Sequence, residues 1–270
     1  MSIPVTMITA TYGRHRRLTE ETIESFLRQN YTNKKLLIVN THPDPIIFAQ
    51  EYPQIEVQNI PDTFPDSLGQ KLAYCFKQIE TPLWGIMDDD DIFLPWHISN
   101  LVKHWEDALA RGERRPICVH HENMIYWESG SIRSATQWDL WSCYLFEKPT
   151  QEFWDFHTAF SAIRHEDSER DIKIKNWSGW NKIKPITYPQ PPGYIYRWGT
   201  DSRHLSGFGN DPDNQKEGYD LCRAEANEIR NPGPWRPHWD SDYVEDLKEF
   251  YRHCGHLTYN GRPLEKPEWK

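Results

Sequence analysis

The chain of 270 residues lacks several features that define whole classes of protein. Its five cysteines include no Cys-x-x-Cys pair, which argues against a disulfide framework and against a zinc site. No apolar run approaches the roughly 18 residues of a membrane span, and no basic segment precedes an apolar one at the N-terminus. There is no internal repeat. We therefore expect a cytoplasmic globular protein with no membrane contact and no obligate protein partner.

A surplus of positive charge is also missing, since the formal net charge is −9. Such a chain does not adhere broadly to nucleic acid, although a local basic groove remains compatible with it. Aromatic residues are plentiful: of the thirteen tryptophans, seven lie between Trp127 and Trp198. These side chains are either core residues or platforms for a sugar or a base.

The stretch from residue 83 to residue 95 is the most informative part of the chain. An apolar run ends in four consecutive aspartates, Asp88, Asp89, Asp90 and Asp91, and an apolar turn then closes on a proline. Short apolar runs are typical of buried strands, and the C-terminal ends of strands form the ligand-binding rim of α/β sheets. Alternation along an extended chain predicts that Asp88 and Asp90 face one side and that Asp89 and Asp91 face the other. Hard oxygen ligands suit Mg²⁺ or Mn²⁺, whereas the alternative is a solvated acidic loop.

The order of the elements predicts an α/β fold. We expect strands at residues 5–11, 36–40, 55–60 and 83–87, with helices beginning at about Thr19 and at Leu68. This alternation is typical of a mainly parallel sheet. The Thr19 hydroxyl is expected to cap the first helix, and Pro95 to open a third. Further strands are expected at 117–120 and 124–127, in a second layer, and at 194–198, with helical segments at 221–229 and 243–253.

Several short motifs occur in a characteristic order. They are Thr11-Tyr12-Gly13-Arg14, Ser25-x-x-x-Gln29-x-Tyr31, Gly69-Gln70-Lys71, the quartet Asp88 to Asp91 with Pro95, and Tyr196-Arg197-Trp198 with His204-Leu205-Ser206-Gly207. Together they resemble the family-two type of GT-A nucleotide-sugar glycosyltransferases, over about residues 3–207, and most closely the phage-encoded members. The resemblance implies a GT-A fold, Rossmann-like and mainly parallel, with a smaller mixed acceptor-side region and a helical C-terminal tail.

The same resemblance implies how the chain is divided. Residues 1–210 would form the glycosyltransferase domain, with a nucleotide-binding half at 1–115 and an acceptor-binding half at 116–210. Residues 211–270 would form a helical extension packed on it.

The resemblance also implies an activity: transfer of a sugar from a nucleotide-sugar to an acceptor hydroxyl, with inversion at the anomeric carbon. The expected donor is a UDP-sugar. Mn²⁺ or Mg²⁺ would neutralise the departing diphosphate. The expected metal ligands are Asp88, Asp90, Asp91 and His204. The expected donor-binding residues are Thr9, Thr11, Tyr12, Arg14, Asn40, Lys71, Asp88 and Asp89. The catalytic base would be Asp167, with Asp171 as the alternative.

The chain departs from the family pattern at several positions. Asn40 and Thr41 stand where an aspartate usually reads the nucleobase, and Leu72-Ala73 replaces an arginine-asparagine pair. For the acceptor, the likeness to phage members implies a hydroxymethylated pyrimidine such as 5-hydroxymethylcytosine in viral DNA, modified in the host cytoplasm. A surface polysaccharide is the alternative acceptor. A non-catalytic nucleotide-sugar or glycan-binding module is the alternative function.

Overall fold

The computed structural model of the chain describes one long, interrupted stretch and four short ones. They are residues 2–148, apart from 12–15, 44, 49–51, 62–67, 90, 122, 129–130 and 137–140, together with 181–183, 193–198, 258–259 and 262–263. None of the helices in this part of the chain is both long and apolar enough to cross a membrane.

Within these residues the chain forms three helices and three sheets. The helices are α1 (Arg16–Leu27), α2 (Leu68–Lys77) and α3 (His97–Ala110), and a short 3-10 turn spans Trp141–Cys143. The strands are β1 (Val5–Thr11), β2 (Lys34–Asn40), β3 (Ile55–Asn59), β4 (Leu83–Ile86), β5 (Ile92–Phe93), β6 (Ile117–His120), β7 (Asn123–Glu128), β8 (Ser131–Thr136), β9 (Tyr144–Glu147), β10 (Asn181–Ile183), β11 (Tyr194–Trp198), β12 (Thr258–Tyr259) and β13 (Arg262–Pro263).

The main sheet has seven strands in the order β10-β6-β9-β4-β1-β2-β3. Strands β1 to β4 pair in parallel, and β9 is inserted antiparallel between β4 and β6. The chain runs outward from β1 through β2 to β3 and then returns to β4 on the other side of β1. This reversal is a topological switch point, and ligands of open α/β sheets bind at the C-terminal ends of the strands that flank it.

Apolar side chains cover both faces of the main sheet. One face packs against α1 and α3, with Phe26 of α1 and Leu101 of α3 fully buried on it. The other face packs against α2, whose Leu72 and Phe76 contact Ile8 of β1 and its neighbours. The strands therefore read as nearly continuous apolar runs, as expected for strands buried on both sides.

A second sheet joins the main one beside the aspartate quartet. Its order is β5-β11-β7-β8, and β5 begins immediately after Asp91. Strand β11 pairs antiparallel with β5, so that Tyr194 lies opposite Phe93. The backbone amide of Leu94 also donates to Gly193 O at 2.9 Å. The residues after the quartet are thus fixed to a strand that lies about a hundred positions later in the sequence.

The mainly parallel α/β sheet is confirmed, but several local predictions are corrected. Helix α1 begins at Arg16, so Thr19 lies inside it and does not cap it. Helix α3 begins at His97 with Trp96 at the N-cap, two positions after Pro95. Strand β6 belongs to the main sheet, and of the two strands predicted for a second layer only β7 lies there. The predicted helices at 221–229 and 243–253 lie outside the described residues.

Candidate functional site

The C-terminal ends of β1 and β4 are joined by side chains at the switch point. Thr9 Oγ1 donates to Met87 O at 2.7 Å, and Thr11 Oγ1 donates to Asp89 Oδ2 at 2.6 Å. Asp89 is only 4% exposed, and both threonines are buried as well. Buried polar groups of this kind are costly unless they are hydrogen-bonded, so these contacts fix the start of the acidic turn against β1. Thr9, Thr11 and Asp89 lie at the predicted rim.

Two other aspartates of the quartet are held by hydroxyl groups from later parts of the chain. Ser142 Oγ, in the 3-10 turn before β9, donates to Asp88 Oδ2. Tyr194 OH, on β11, donates to Asp91 Oδ2. Asp88 is half-buried, whereas Asp91 is 1% exposed. The side chain of Asp91 therefore points into the protein, towards the second sheet.

The turn does not preserve the simple alternation expected of an extended chain. The negative charges of Asp88 and Asp91 both act on Cys143, whose pKa is raised well above its usual value, first by burial and then by these charges. The pKa of Tyr194 is also raised strongly, by burial first and then by the adjacent Asp91. Asp88 and Asp91 thus share one neighbourhood because strand geometry ends at Ile86 and the following residues turn.

The carboxylates suit a hard divalent cation by their chemistry, because Mg²⁺ and Mn²⁺ prefer oxygen ligands. Asp88, half-buried at the C-terminal end of β4, is the member of the quartet best placed to meet one among those described. No group of three potential metal ligands comes together within the described residues. Asp90 and His204, two of the four predicted ligands, lie outside those residues, as do the predicted bases Asp167 and Asp171.

The predicted donor-binding residue Asn40 takes part in an internal network. It is fully buried, its Nδ2 donates to Asn59 Oδ1 at 3.0 Å, and its Oδ1 accepts from the backbone amide of His42 at 3.1 Å. Asn59 in turn accepts from the amide of Ile46 at 2.9 Å and donates to its carbonyl at 3.0 Å. The two asparagines thereby fix the loop that follows β2.

The remaining predicted donor residues are placed only in part. Lys71 lies in α2 and is 7% exposed, so its aliphatic stem is covered by protein. Tyr12 and Arg14 lie outside the described residues.

The motif Ser25-x-x-x-Gln29-x-Tyr31 has a clear structural role. Gln29 is 4% exposed, and its Nε2 donates to Leu94 O at 2.7 Å and to Phe93 O at 3.2 Å. Its Oε1 accepts from the amide of Ile98 at 3.1 Å, in the first turn of α3. The N-cap of α3 makes no side-chain hydrogen bond of its own, so Gln29 supplies the missing cap from another element. Tyr31 OH donates to Ile3 O at 2.6 Å.

Two buried histidines lie behind the second sheet. His121 Nε2 and His97 Nδ1 are 3.0 Å apart, and both rings are fully enclosed. Burial lowers the pKa of His97 to about 3, and burial together with the His97 ring lowers that of His121 well below its usual value. Both rings are therefore neutral at physiological pH. A Cβ on Gly193 would lie 2.6 Å from His121 Nε2, so this position has room only for glycine.

Sequence reasoning missed three groups that contact the acidic turn. Thr22 Oγ1 donates to Asp88 O at 3.1 Å, and Ser142 and Tyr194 contact the carboxylates as described. Tyr194 was predicted as a strand residue, but nothing in the sequence connects it with a position 103 residues away. The available signal for Thr22 was a hydroxyl residue next to the apolar Ile23 and one helical turn before Phe26.

The geometry defines an α/β protein with an acidic turn at the switch point of its sheet. Residues 6–168 match the family model described as glycosyl transferase family 2, which covers more than half of the chain. The chain belongs to this family and is a glycosyltransferase of the class that uses nucleotide-sugars. The GT-A fold expected from the motifs is thereby confirmed for the sheet and its flanking helices.

Solved structures with a similar fold include TarS of S. aureus. Residues 1–349 of TarS are 10% identical to this chain, with a TM-score of 0.46, and the match covers 94% of this chain and 79% of that one. The same TarS fragment in complex with UDP-GlcNAc is 10% identical, with a TM-score of 0.47 and coverage of 94% and 73%. Similarity at this level says nothing about the substrate. A comparison with curated proteins found no match.

Proposed function

We propose that the chain transfers a sugar from a UDP-sugar to an acceptor hydroxyl, with inversion and with the help of Mn²⁺ or Mg²⁺. The observation that carries this proposal is the acidic turn at the switch point. Its aspartates are held by hydroxyls from separate elements, Thr11 on β1 and Ser142 before β9 among them. A turn fixed in this way presents carboxylate oxygens without reorganisation, as preorganised electrostatic catalysis requires.

The proposed metal ligands are Asp88, Asp90 and His204, with Asp91 as the fourth residue of the predicted set. When bound, the cation would offset the charge that develops on the diphosphate leaving group. The burial of Asp91 and its contact with Tyr194 favour Asp88 over Asp91 as the residue that faces the ligand. Asp88 would then orient the donor from the C-terminal end of β4.

The acceptor hydroxyl must lose its proton as the new bond forms. Asp167 is the proposed base and Asp171 the alternative, and a positioned carboxylate in this role accelerates transfer by roughly 10²–10⁴-fold. Both belong to the predicted acceptor-binding half, at positions between Lys148 and Asn181 of the sequence. Replacing Asp167 with Asn should lower turnover while donor binding is retained; a wild-type rate would assign the role to Asp171 or to another residue.

For the acceptor we propose a hydroxymethylated pyrimidine in DNA, with a surface polysaccharide as the competing class. Chemistry on a base in duplex DNA requires the base to leave the stack, and a flipped base stacks on aromatic side chains. Trp154, Trp177 and Trp180 are the proposed platforms. Because the net charge is −9, any DNA contact must be made by a local basic patch. Contacts between such a patch and the phosphates release counterions, so binding should weaken steeply with salt.

A transfer assay tests the proposal directly. The protein is incubated with Mn²⁺, a panel of UDP-sugars and one of three acceptors: hydroxymethylcytosine DNA, unmodified DNA or a glycan. Products are read by nucleoside mass spectrometry and by UDP release. Transfer to the modified DNA alone supports the DNA acceptor, and transfer to the glycan alone assigns the polysaccharide class. Donor binding without UDP release or transfer would show a binding module and overturn the enzymatic proposal.

A pair of matched variants tests the metal site in the same assay. Asp88→Asn should lower turnover at least about 100-fold, the cost of losing one preorganised electrostatic group. Asp107→Asn is the control, because Asp107 lies on α3 and pairs with Lys103 at 2.9 Å, away from the quartet. Equal activity of the two variants would remove Asp88 from the metal site.

A further inference from the structure

A row of three polar side chains, on helix α1 and just beyond its end, lies beside the acidic turn. Thr22 and Ser25 lie three positions apart within α1, and Gln29 follows four positions later, just beyond its end. Residues at these spacings share one face of a helix. All three are buried, with exposures of 0%, 1% and 4%. Buried polar residues beside the apolar Ile23 and Phe26 need partners, and here the partners belong to the turn.

The row contacts the backbone at the first residue of the quartet and in the segment that follows it. Thr22 Oγ1 donates to the carbonyl of Asp88 at 3.1 Å. Ser25 Oγ accepts from the amide of Phe93 at 3.5 Å, and Gln29 Nε2 donates to the carbonyls of Phe93 and Leu94. Thr22 is the member of the row that contacts the quartet itself, whereas Ser25 and Gln29 hold the segment after it.

The contact of Thr22 constrains the carboxylate of Asp88 through the backbone. The carbonyl of Asp88 and the amide of Asp89 belong to one rigid peptide plane, so a hydrogen bond to that carbonyl fixes the orientation of the plane. The carboxylate of Asp88 is held separately by Ser142. With both the peptide plane and the carboxylate anchored, the side chain of Asp88 has one direction in which to present its oxygens.

We propose that Thr22 is a positioning residue for glycosyl transfer, acting through Asp88 on the binding of the metal and the diphosphate. The inference rests on the proposed metal-dependent function. It assigns to α1 a role beyond covering the sheet: the helix sets the geometry of the turn. Without the Thr22 hydroxyl the peptide between Asp88 and Asp89 can rotate, and the carboxylate loses its preorganised orientation at little cost to the fold.

Three variants test the proposal. Thr22→Val removes the hydroxyl with little change in shape, Thr22→Ser keeps it, and Thr81→Val is the matched control. Thr81 is also buried, and its hydroxyl bonds Thr6 Oγ1 at 2.7 Å and Leu83 O at 2.8 Å, at the opposite end of β4. The measurements are calorimetric affinity for UDP with and without Mn²⁺, the kcat and KM of transfer, and the thermal midpoint.

The expected result is a loss specific to metal-dependent steps. Thr22→Val should weaken Mn²⁺-dependent UDP binding and lower kcat by about tenfold each, a change of about 1.4 kcal/mol. Its UDP affinity without Mn²⁺ should stay within twofold of wild type, and Thr22→Ser should restore both properties. Thr81→Val should leave binding and kcat unchanged even where its thermal midpoint falls as far as that of Thr22→Val.

Three outcomes overturn the inference. Wild-type Mn²⁺ response in Thr22→Val would show that the hydroxyl does not position Asp88. Equal losses in Thr22→Val and Thr81→Val would show a general effect of stability. The third outcome is an impairment of Thr22→Ser as large as that of Thr22→Val. If the wild-type chain itself shows no Mn²⁺-dependent UDP binding, the proposed function fails together with the inference. The three outcomes above differ from this one, because in them the wild-type chain binds UDP with Mn²⁺ and the proposed function stands.

Discussion

Replacing Gln29 with alanine should destabilise the protein far more than a typical surface change. The substitution removes hydrogen bonds to four backbone groups: the carbonyls of Ser25, Phe93 and Leu94 and the amide of Ile98. Leu94 O keeps a second donor, the amide of His97 at 2.9 Å. All four residues are at most 2% exposed, so water cannot readily replace the lost hydrogen bonds. A buried backbone group left without a partner costs about 1–3 kcal/mol. Because such costs are not fully additive, we expect a total of about 3–5 kcal/mol.

The assay is urea denaturation at neutral pH, supported by thermal melting. A loss of this size corresponds to a fall of roughly 10 °C in the melting temperature of a chain of this length. Asn30→Ala is the control, because Asn30 is exposed and its contact with Pro95 O at 2.8 Å is made by the backbone. Gln29→Glu is a second probe, since it keeps an acceptor for Ile98 but places a carboxylate oxygen against the carbonyls of Ser25, Phe93 and Leu94.

The result that would refute this reasoning is a Gln29→Ala variant within about 1 kcal/mol of wild type, the worth of a single ordinary hydrogen bond. Such a result would mean that α3 and the turn relax to find other partners. A Gln29→Glu variant as stable as wild type at pH 7 would refute the assigned orientation of the amide, because a carboxylate offers no donor to the carbonyls of Ser25, Phe93 and Leu94.

Two further predictions concern the buried groups around the turn. Burial is the main cause that lowers the pKa of His97 to about 3 and that of His104 to about 4 in the folded protein. In the unfolded chain both have a pKa of about 6.5, so between these values the unfolded chain binds more protons than the folded protein. Stability should therefore be full above pH 6.5 and fall as the pH drops, by about 2 kcal/mol per histidine at pH 5, as measured by urea denaturation. Tyr194→Phe should cost about 1.5–3 kcal/mol, measured in the same way, because the buried Asp91 loses a hydroxyl donor.

Each of these two predictions has its own control. Removing one titrating ring, as in His104→Gln, should make the pH dependence shallower, and a wild-type profile that is flat from pH 7 to 5 would contradict the burial of neutral rings. For the tyrosine, Tyr196→Phe changes a half-buried residue on the same strand. A Tyr194→Phe variant no less stable than Tyr196→Phe would show that the hydroxyl contributes nothing to holding Asp91.

The first half of the fold was predictable because its signals are local. Apolar runs such as residues 36–39 and 83–87 are long enough to identify buried strands, and α2 and α3 show regular apolar faces. Strand β9 was not predicted, because it is only four residues long, Tyr144 to Glu147, and these residues show no polar–apolar alternation. Its insertion between β4 and β6 is decided by packing against Trp84 and Cys118, which the local sequence does not encode.

The position of the acidic residues of the candidate site was predictable, whereas the groups that contact them were less so. The position of the quartet at the sheet rim follows from the apolar run before it, and the structure places Thr9 and Thr11 beside it as expected. The groups that orient the acids were not predictable, since Ser142 and Tyr194 lie 54 and 103 positions from their partners. Asn40 illustrates the same limit: its partner Asn59 is on the neighbouring strand, and only strand pairing reveals it.

The hydroxyls that hold the acidic turn come from positions scattered along the first two hundred residues: Thr11, Thr22, Ser142 and Tyr194. During synthesis, β1 to β4 can pair long before Tyr194 leaves the ribosome, but the turn then lacks half of its anchors. A chain at that stage would have a formed sheet and a loose acidic loop. The acidic turn therefore reaches its final geometry only when the last of these contacts, from Tyr194, has been made.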